Sequence, residues 1–235
     1  MFLSEKTMEY GTSCYMMRQF KDRTPRFIYI TGADGTGKST QAQLLIHHLE
    51  GLGIRCHHLW LRFPFFFSFP LLAYARWRGY SWHEVNEEVD HGYWSFSHSL
   101  VMRKLFPWVL LFDASLAALG KIYLPLFFGA TIVCERFVLD MLVDLSVALQ
   151  DPYLSFHLPG RLFLRLMPDN AKIIILDLDK STLCDRRHDL VFDHTLASRL
   201  ETYHLLAIRL GLPIIDCHLA KSLVLRKILT TMDLA

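Results

Sequence analysis

The clearest chemistry in the sequence belongs to a short glycine-rich run that also holds a lysine and hydroxyl residues. The run satisfies the pattern G-x-x-x-x-G-K-[ST] and comprises Gly32, Ala33, Asp34, Gly35, Thr36, Gly37, Lys38, Ser39 and Thr40. Glycines let the backbone curl so that successive N–H groups face a phosphate, and a following helix adds the positive end of its dipole. We expect this loop to bind ATP, with Lys38 on the β- and γ-phosphates and the Ser39 hydroxyl on Mg²⁺. The alternative interpretation is an incidental glycine-rich turn.

A phosphate-binding loop by itself leaves an enzyme, a switch and a motor open. A GTPase would carry an N-K-x-D run to read guanine, and the sequence has none. A motor or AAA-type ATPase would show an apolar run that ends in Asp-Glu, which the sequence also lacks. Other segments must therefore decide the class of protein.

The elements that must position this loop follow an alternating pattern along the chain. Short β-rich runs are predicted at Phe27–Thr31, Cys56–Leu61, Thr131–Cys134, Ile173–Leu178 and Pro213–Asp216. Stretches with helical spacing lie at Ser39–Glu50, Tyr93–Leu119, Phe137–Leu149, Ser181–Asp189, His194–Leu210 and Lys221–Thr231. Strands that alternate with helices predict a parallel sheet covered on both faces. We therefore predict an α/β fold of the P-loop NTPase type, a doubly wound parallel five-stranded sheet with helices on both faces.

The composition is typical of a folded protein in a reducing compartment. Of its 235 residues 52% are hydrophobic and 20% are charged, which excludes a disordered chain. A formal net charge of +2 disfavours a nucleic-acid partner. The five cysteines are odd in number and form no C-x-x-C, so a cytoplasmic location is expected. We predict a flexible extension over residues 1–25 and a single domain over residues 26–235.

Two apolar stretches, Leu105–Leu119 and Ile122–Cys134, require a test for membrane segments. They are interrupted by charged residues and prolines, namely Pro107, Asp113, Lys121 and Pro125. Each is therefore shorter than the ~20 apolar residues that span a bilayer, and no membrane span is expected. Glu5, Lys6 and Glu9 argue against a signal peptide. Peripheral contact with a membrane stays open.

Four segments, in this order, carry a likeness to a known family. An acid, Asp34, occupies the third position of the glycine-rich loop, and Leu61-Arg62-Phe63-Pro64 ends the second strand. Cys134-Glu135-Arg136-Phe137 ends the third strand, and Cys184-Asp185-Arg186-Arg187 follows the fourth. Together these segments resemble those of the thymidylate kinases, within the P-loop nucleoside-monophosphate kinases. The resemblance covers about residues 26 to 232, and only the glycine-rich loop is specific by itself.

The resemblance implies ATP-dependent phosphoryl transfer to a nucleoside monophosphate, with dTMP, which gives dTDP, as the leading acceptor. It implies catalytic roles for Lys38, Glu135, Arg136, Arg186 and Arg187, the last two on a short lid near residues 184–194. In this scheme Arg136 clamps the acceptor phosphate, Glu135 orders Mg²⁺ through water, and at least one lid arginine neutralises the transferred group. Glu135-Arg136 could instead be a surface ion pair, and the lid arginines could simply solvate a helix.

The acceptor side is expected to involve Asp34, Arg62, Phe63, Arg136 and Asp140. Asp140 shares one helix face with Asp144, four residues on, and that face either borders the acceptor pocket or is solvated. Phe112–Ala117 lacks the acceptor-binding arginine of the family, and Phe65–Pro70 is more apolar than the family pattern. Substrate identity is therefore open. 

Two other functions stay open on these residues. Glu135 stands where the family has Asp, and a Glu-Arg pair also resembles deoxyribonucleoside kinases, in which Glu135 would act as a base on a hydroxyl. The third interpretation is a catalytically weak nucleotide-binding protein whose aromatic segment docks a partner or a membrane.

The aromatic segment Phe63–Leu72 holds five phenylalanines and two prolines. The prolines predict a loop that leads into a short helix. Such a loop cannot bury five phenylalanines within itself, so they pack beneath the acceptor helices or against a partner. We predict a homodimer in which an aromatic of this segment contributes to the interface or to the acceptor pocket.

Overall fold

The computed structural model of the protein describes residues 25–86 and 89–234. Its centre is a five-stranded parallel sheet flanked by helices, in the strand order β2-β5-β1-β6-β7. The strands are β1 (Phe27–Gly32), β2 (Cys56–Trp60), β5 (Thr131–Glu135), β6 (Lys172–Asp177) and β7 (Ile214–Asp216). Every pairing in this sheet is parallel. The five predicted strands are confirmed to within a residue or two, while the predicted extension at 1–25 lies, except for residue 25, outside the described residues.

The helices occupy the connections between the strands. They are α1 (Lys38–Gly51), α2 (Phe69–Trp77), α3 (Leu100–Ala118), α4 (Leu124–Phe127), α5 (Val138–Leu149), α6 (Leu158–Leu164), α7 (Lys180–Arg186), α8 (Leu196–Leu210) and α9 (Lys221–Thr231). A π-helical turn, Leu119–Tyr123, joins α3 to α4. Short 3₁₀ turns lie at Leu154–Phe156 and His188–Phe192.

The central position of β1 determines where its loop lies. Phe27–Ile30 is buried throughout, with β5 on one side and β6 on the other. The chain proceeds from β1 to the β2 edge, returns through β5, and crosses β1 to the β6 side. The loops that follow β1 and β5 therefore meet at the carboxyl ends of adjacent strands, the position at which open α/β sheets bind ligands.

The predicted helix Tyr93–Leu119 is wrong in its first turns. An antiparallel hairpin, β3 (Ser81–Asn86) and β4 (Val89–Trp94), occupies this region, and the helix begins at Leu100. Trp94 packs against Phe63 and Phe106, so tertiary contacts between aromatic rings favour the strand. The Ser99 hydroxyl accepts a hydrogen bond from the Met102 backbone N–H at 3.3 Å and caps α3.

Two further predictions concern short helices. The predicted helix Ser181–Asp189 is divided, because α7 ends at Arg186 and a 3₁₀ turn follows. The predicted loop and short helix in the aromatic segment are confirmed, since α2 begins at Phe69.

Asp113 on α3 holds the start of α2 in place. Its carboxylate accepts hydrogen bonds from the backbone N–H groups of Phe66, Phe67 and Ser68 at 2.8–3.0 Å, and from the Ser68 hydroxyl at 2.6 Å. Burial by itself would raise the pKa of Asp113, but these hydrogen bonds hold it below its ordinary value. An acid that looked like an interruption of an apolar helix is thus the anchor of the aromatic segment.

We expect Asp113→Ala to lower the free energy of unfolding by about 2 kcal/mol, because it leaves the backbone N–H groups of Phe66, Phe67 and the buried Ser68 without their acceptor. The pKa of Asp113 is depressed in the folded state, so its contribution is present above about pH 4 and is lost as the pH falls below that value. Urea unfolding at neutral and acid pH measures both effects. Asp169→Ala, at an exposed aspartate, is the matched control. Equal midpoints for the two variants at neutral pH would contradict this role.

Length and composition alone would allow one described helix, Leu100–Phe127, to cross a membrane. In the fold, 33% of its most apolar 18-residue window is buried. A core helix of a soluble protein passes the same test, so the expected absence of a span stays a prediction.

Candidate functional site

The glycine-rich loop follows β1 directly and leads into α1. Gly32 has φ of 139°, and a Cβ there would stand 2.1 Å from the Leu176 carbonyl oxygen of β6, so only glycine fits. The Thr36 hydroxyl donates to the Ala33 carbonyl at 2.8 Å and closes the turn. Thr40 lies in the first turn of α1, whose N-terminus faces the loop. This geometry provides backbone N–H groups and a positive helix end for an anion.

Lys38 is buried beneath the loop. Its ammonium donates to the carbonyls of Gly32 and Ala33 at 2.8 and 2.7 Å, and it lies 3.7 Å from an oxygen of Asp34. Burial removes water from the ammonium and lowers the pKa of Lys38 to about 8. The loop therefore holds the Lys38 ammonium, a charged hydrogen-bond donor, at the position to which it would bring phosphate oxygens.

Ser39 and Glu135 meet at the ends of β1 and β5. The Ser39 hydroxyl donates to Glu135 Oε1 at 2.6 Å, and His58 Nε2 lies 3.4 Å from Glu135 Oε2. Hydroxyl and carboxylate oxygens suit Mg²⁺, which is held by one or two protein groups together with water and substrate phosphates. These two side chains therefore fit the expected Mg²⁺ site. His58, on β2, is a neighbour that the sequence reasoning missed.

Arg136 faces the loop from the residue after β5. Its guanidinium forms an ion pair with Asp34, and its Nη1 lies 3.7 Å from Asp140 Oδ1. The Arg136 backbone has φ of 63°, a left-handed conformation that is uncommon for a residue with a side chain. The chain is turned sharply here, and the turn aims the guanidinium at Asp34.

Asp140 differs from its expected place on the acceptor side. It is buried, and its carboxylate accepts from the hydroxyls of Tyr29, Thr31 and Tyr203 at 2.6, 2.9 and 2.9 Å. The Phe137 backbone N–H donates to it as well, at 3.0 Å. Because these four donors already engage both oxygens, Asp140 supports α5 and Arg136 and does not present a free carboxylate to a ligand.

Arg62, Asp144 and Arg199 form an ion cluster beside Asp34. Arg62 binds Asp144 with two nitrogens, at 3.0 and 3.2 Å, and Arg199 Nη1 lies 3.1 Å from the same carboxylate. Arg62 Nη1 is also 3.8 Å from Asp34. Burial by itself would raise the pKa of Asp144, but Arg199 and Arg62 hold it below its ordinary value. Sequence reasoning missed Arg199, because no motif marks it.

A cavity of about 250 Å³ opens at this cluster. One wall is charged and the other is aromatic, and its lining includes Arg62, Phe63, Trp94, Asp144 and Arg199. The rings of Phe63 and Trp94 are 5.0 Å apart, and Phe63 also stacks on Phe65 at 5.0 Å. The volume is just under the ~300 Å³ lower end of small-molecule pockets. Such a cavity can take a flat, partly apolar ring that carries an anionic group.

The predicted lid lies over the glycine-rich loop. Leu183 of α7 and Leu190 of the following turn stand 3.2 and 3.5 Å from where a Cβ on Gly35 would be. Arg187 pairs with Asp189, Nε to Oδ1 at 3.0 Å, and its Cδ is 3.7 Å from the same point. Arg186 instead donates to the Cys217 carbonyl at 2.9 Å. The two arginines of the lid therefore face different neighbours, and Arg187 is the one beside the loop.

Comparisons with known proteins provide no family for this chain. No protein-family model matches it, and no curated protein matches its sequence. Any function of this chain must therefore be inferred from its own loop, ion pairs and cavity.

Proposed function

We propose that this protein is an ATP-dependent kinase of the P-loop NTPase fold that phosphorylates a nucleoside monophosphate, with dTMP as the leading acceptor. One observation carries the proposal: Asp34 of the glycine-rich loop contacts both Arg136 and Arg62, and Arg62 lines the cavity. The loop that would hold a donor is therefore linked by direct ion pairs to the cavity that would hold an acceptor.

The donor side needs little besides positioning and charge. Phosphoryl transfer places negative charge on the oxygens of the transferred group, so fixed cations and N–H groups lower its barrier. The Lys38 ammonium donates hydrogen bonds to two carbonyls of its own loop. When ATP is bound, its phosphate oxygens would accept these hydrogen bonds in place of the carbonyls. Arg187, beside Gly35, is the lid residue best situated to add a further cation.

When ATP is bound, Mg²⁺ would supply charge neutralisation at its phosphates. Ser39 and Glu135 are the residues that would hold it, Ser39 directly and Glu135 through water. The hydrogen bond between them favours this role for Glu135 over that of a general base on a nucleoside hydroxyl, because it aims the carboxylate at the metal side of the loop.

The acceptor side combines cations with aromatic rings. Arg62 and Arg199 meet at Asp144, so an acceptor phosphate entering the cavity would compete with that carboxylate for their N–H groups. A pyrimidine could pack on Phe63 and Trp94, whose rings form the other wall. No base is needed for a monophosphate acceptor, because its attacking oxygen is already ionised.

An acceptor panel tests the proposal. Protein, MgCl₂ and γ-labelled ATP are incubated with each common monophosphate and with each matching nucleoside, and products are separated by chromatography. We expect label to appear in a diphosphate, fastest with dTMP. The Lys38→Ala variant, purified in the same way, serves as the blank for contaminating kinases.

The outcomes separate the three functions that the sequence left open. Label in the nucleosides alone would support a deoxynucleoside kinase with Glu135 as the base. Calorimetric binding of ATP without label in any acceptor would support a nucleotide-binding protein without kinase activity. Either outcome would overturn the monophosphate kinase.

A further inference from the structure

An apolar face on the outside of the α2–α3 region takes no part in the proposed site. The apolar face is defined here by Phe66, Phe67, Leu105, Trp108, Phe112, Leu116, Leu119, Tyr123 and Phe127, all exposed. The helix members recur every three or four residues, which places them on one side of the helix. The rings of Phe66 and Phe67 are 4.8 Å apart, and those of Phe67 and Phe112 are 5.2 Å apart. The loop before α2 and the helix therefore form one continuous surface.

The apolar face is long, and its side chains are well exposed. The helix Leu100–Phe127 has 28 residues and is about 42 Å long at 1.5 Å per residue. Phe127 is 83% exposed and Phe66 is 73% exposed. A groove of about 870 Å³ near the end of the helix is lined by Leu116, Leu119, Tyr123 and Phe127, among other residues. An exposed apolar surface of this extent is typical of a docking site.

The segments that build this face carry mostly cations among their exposed charges, and the exposed acid Asp169 lies near Tyr123. Residues 65–80 and 100–128 contain five cations and one acid. All five cations are exposed: Arg76, Arg78, Arg103, Lys104 and Lys121. The acid is Asp113, which is buried and bonded to the backbone at Phe66–Ser68. Asp151 lines a groove together with Arg103 and Lys104, where it lies 3.2 Å from His157.

We propose that the apolar face docks this protein on the surface of a membrane that contains anionic lipids. Phenylalanine, tryptophan and leucine flanked by lysine and arginine are the composition of segments that lie in the interfacial plane of a bilayer. A second copy of the chain is the occupant predicted from the sequence. It would bring two cation-rich faces together, and their like charges would repel each other. Charge complementarity therefore favours lipid headgroups.

The helix lies on the bilayer and does not cross it. The side opposite the apolar face packs into the core through Met102, Phe106, Leu110, Ala114, Ala118 and Ile122, all buried. Crossing would require these contacts to be broken and the Asp113 carboxylate to enter the hydrocarbon region. Surface docking uses only side chains that are already exposed. It is also independent of the proposed kinase activity.

Flotation with vesicles tests the proposal. The purified full chain is mixed with vesicles of phosphatidylcholine alone or with about 30% phosphatidylglycerol. We expect binding to the anionic vesicles, weakened by salt, and little binding to the neutral ones. Leu119→Glu with Phe127→Glu should lower the affinity at least about tenfold, since it places charge in the apolar contact. Ile208→Glu is the matched control, because Ile208 is 81% exposed on α8, outside the face.

A charge variant isolates the electrostatic contribution. Lys104→Glu with Lys121→Glu should lower the affinity for anionic vesicles at least about twenty-five-fold, because each of the two surface cations contributes about fivefold. Circular dichroism verifies that each variant is folded.

Four outcomes would overturn the proposal. Three concern affinity: no binding to anionic vesicles, equal binding to neutral vesicles, or unchanged affinity in both double variants. The fourth is retention of the protein on the vesicles after an alkaline carbonate wash, which would indicate a membrane span. Light scattering without vesicles adds a fifth. A stable dimer that Leu119→Glu with Phe127→Glu converts to a monomer would assign the apolar face to a second copy.

Discussion

Replacing Lys38 by alanine is expected to lower kcat for phosphoryl transfer at least about a hundredfold, with the fold retained. Lys38 is the lysine of the glycine-rich motif, and its ammonium already lies at the loop carbonyls that border the phosphate position. The variant removes this cation from the transferred group, where its charge matters most. Steady-state kinetics with saturating ATP and dTMP measure the effect.

A matched lysine variant controls for a general loss of charge. Lys227→Ala, at an exposed position on α9, should leave kcat unchanged. Circular dichroism of both variants establishes that they are folded. An unchanged kcat in Lys38→Ala would remove the basis of the kinase assignment, because the motif offers no other lysine.

Arg136→Ala is expected to lower kcat/KM for the acceptor by about a hundredfold or more, through both a higher KM and a lower kcat. Its guanidinium is paired with Asp34 of the glycine-rich loop and lies 3.7 Å from Asp140. An acceptor phosphate bound there would be held and oriented by the same group. Initial rates at varied acceptor, with ATP saturating, separate the two parameters.

A conservative variant distinguishes this role from a structural one. Arg136→Lys keeps the charge but loses the planar fork, so it should recover part of kcat while KM stays raised. Arg226→Ala, exposed on α9, is the control. If Arg136→Ala changed only the KM for ATP, the acceptor assignment of this arginine would be refuted.

Much of the sheet and of the glycine-rich loop could be predicted from the sequence, since both depend on local patterns. The loop requires glycine, lysine and serine at fixed spacing between a strand and a helix, and Gly32–Ser39 provides them. The strands are short apolar runs separated by helices, so their order along the chain already indicated a parallel sheet. The alternation does not decide which strands are neighbours; the structure pairs β5 with β1, and this pairing brings Glu135 to Ser39.

The hairpin Ser81–Trp94 could not be predicted with equal ease. Its strands carry histidine, glutamate and aspartate among their aromatic residues, a composition without clear alternation. Packing of Trp94 on Phe63 and Phe106 favours the strand over the helix that local spacing indicated. Tertiary contact overrode local preference here.

The sequence by itself therefore determined the glycine-rich loop and the alternation of strands and helices, and only the tertiary structure decided which partners each carboxylate meets. Asp140 and Asp144 share one face of α5, and their spacing cannot distinguish them. Asp140 meets Tyr29, 111 positions away, and Tyr203, 63 positions away, and becomes a buried support. Asp144 meets Arg62 and Arg199 and lines the cavity. The physical reason is that a carboxylate's role depends on its donors, and these donors come from strands and helices that only the folded chain brings together.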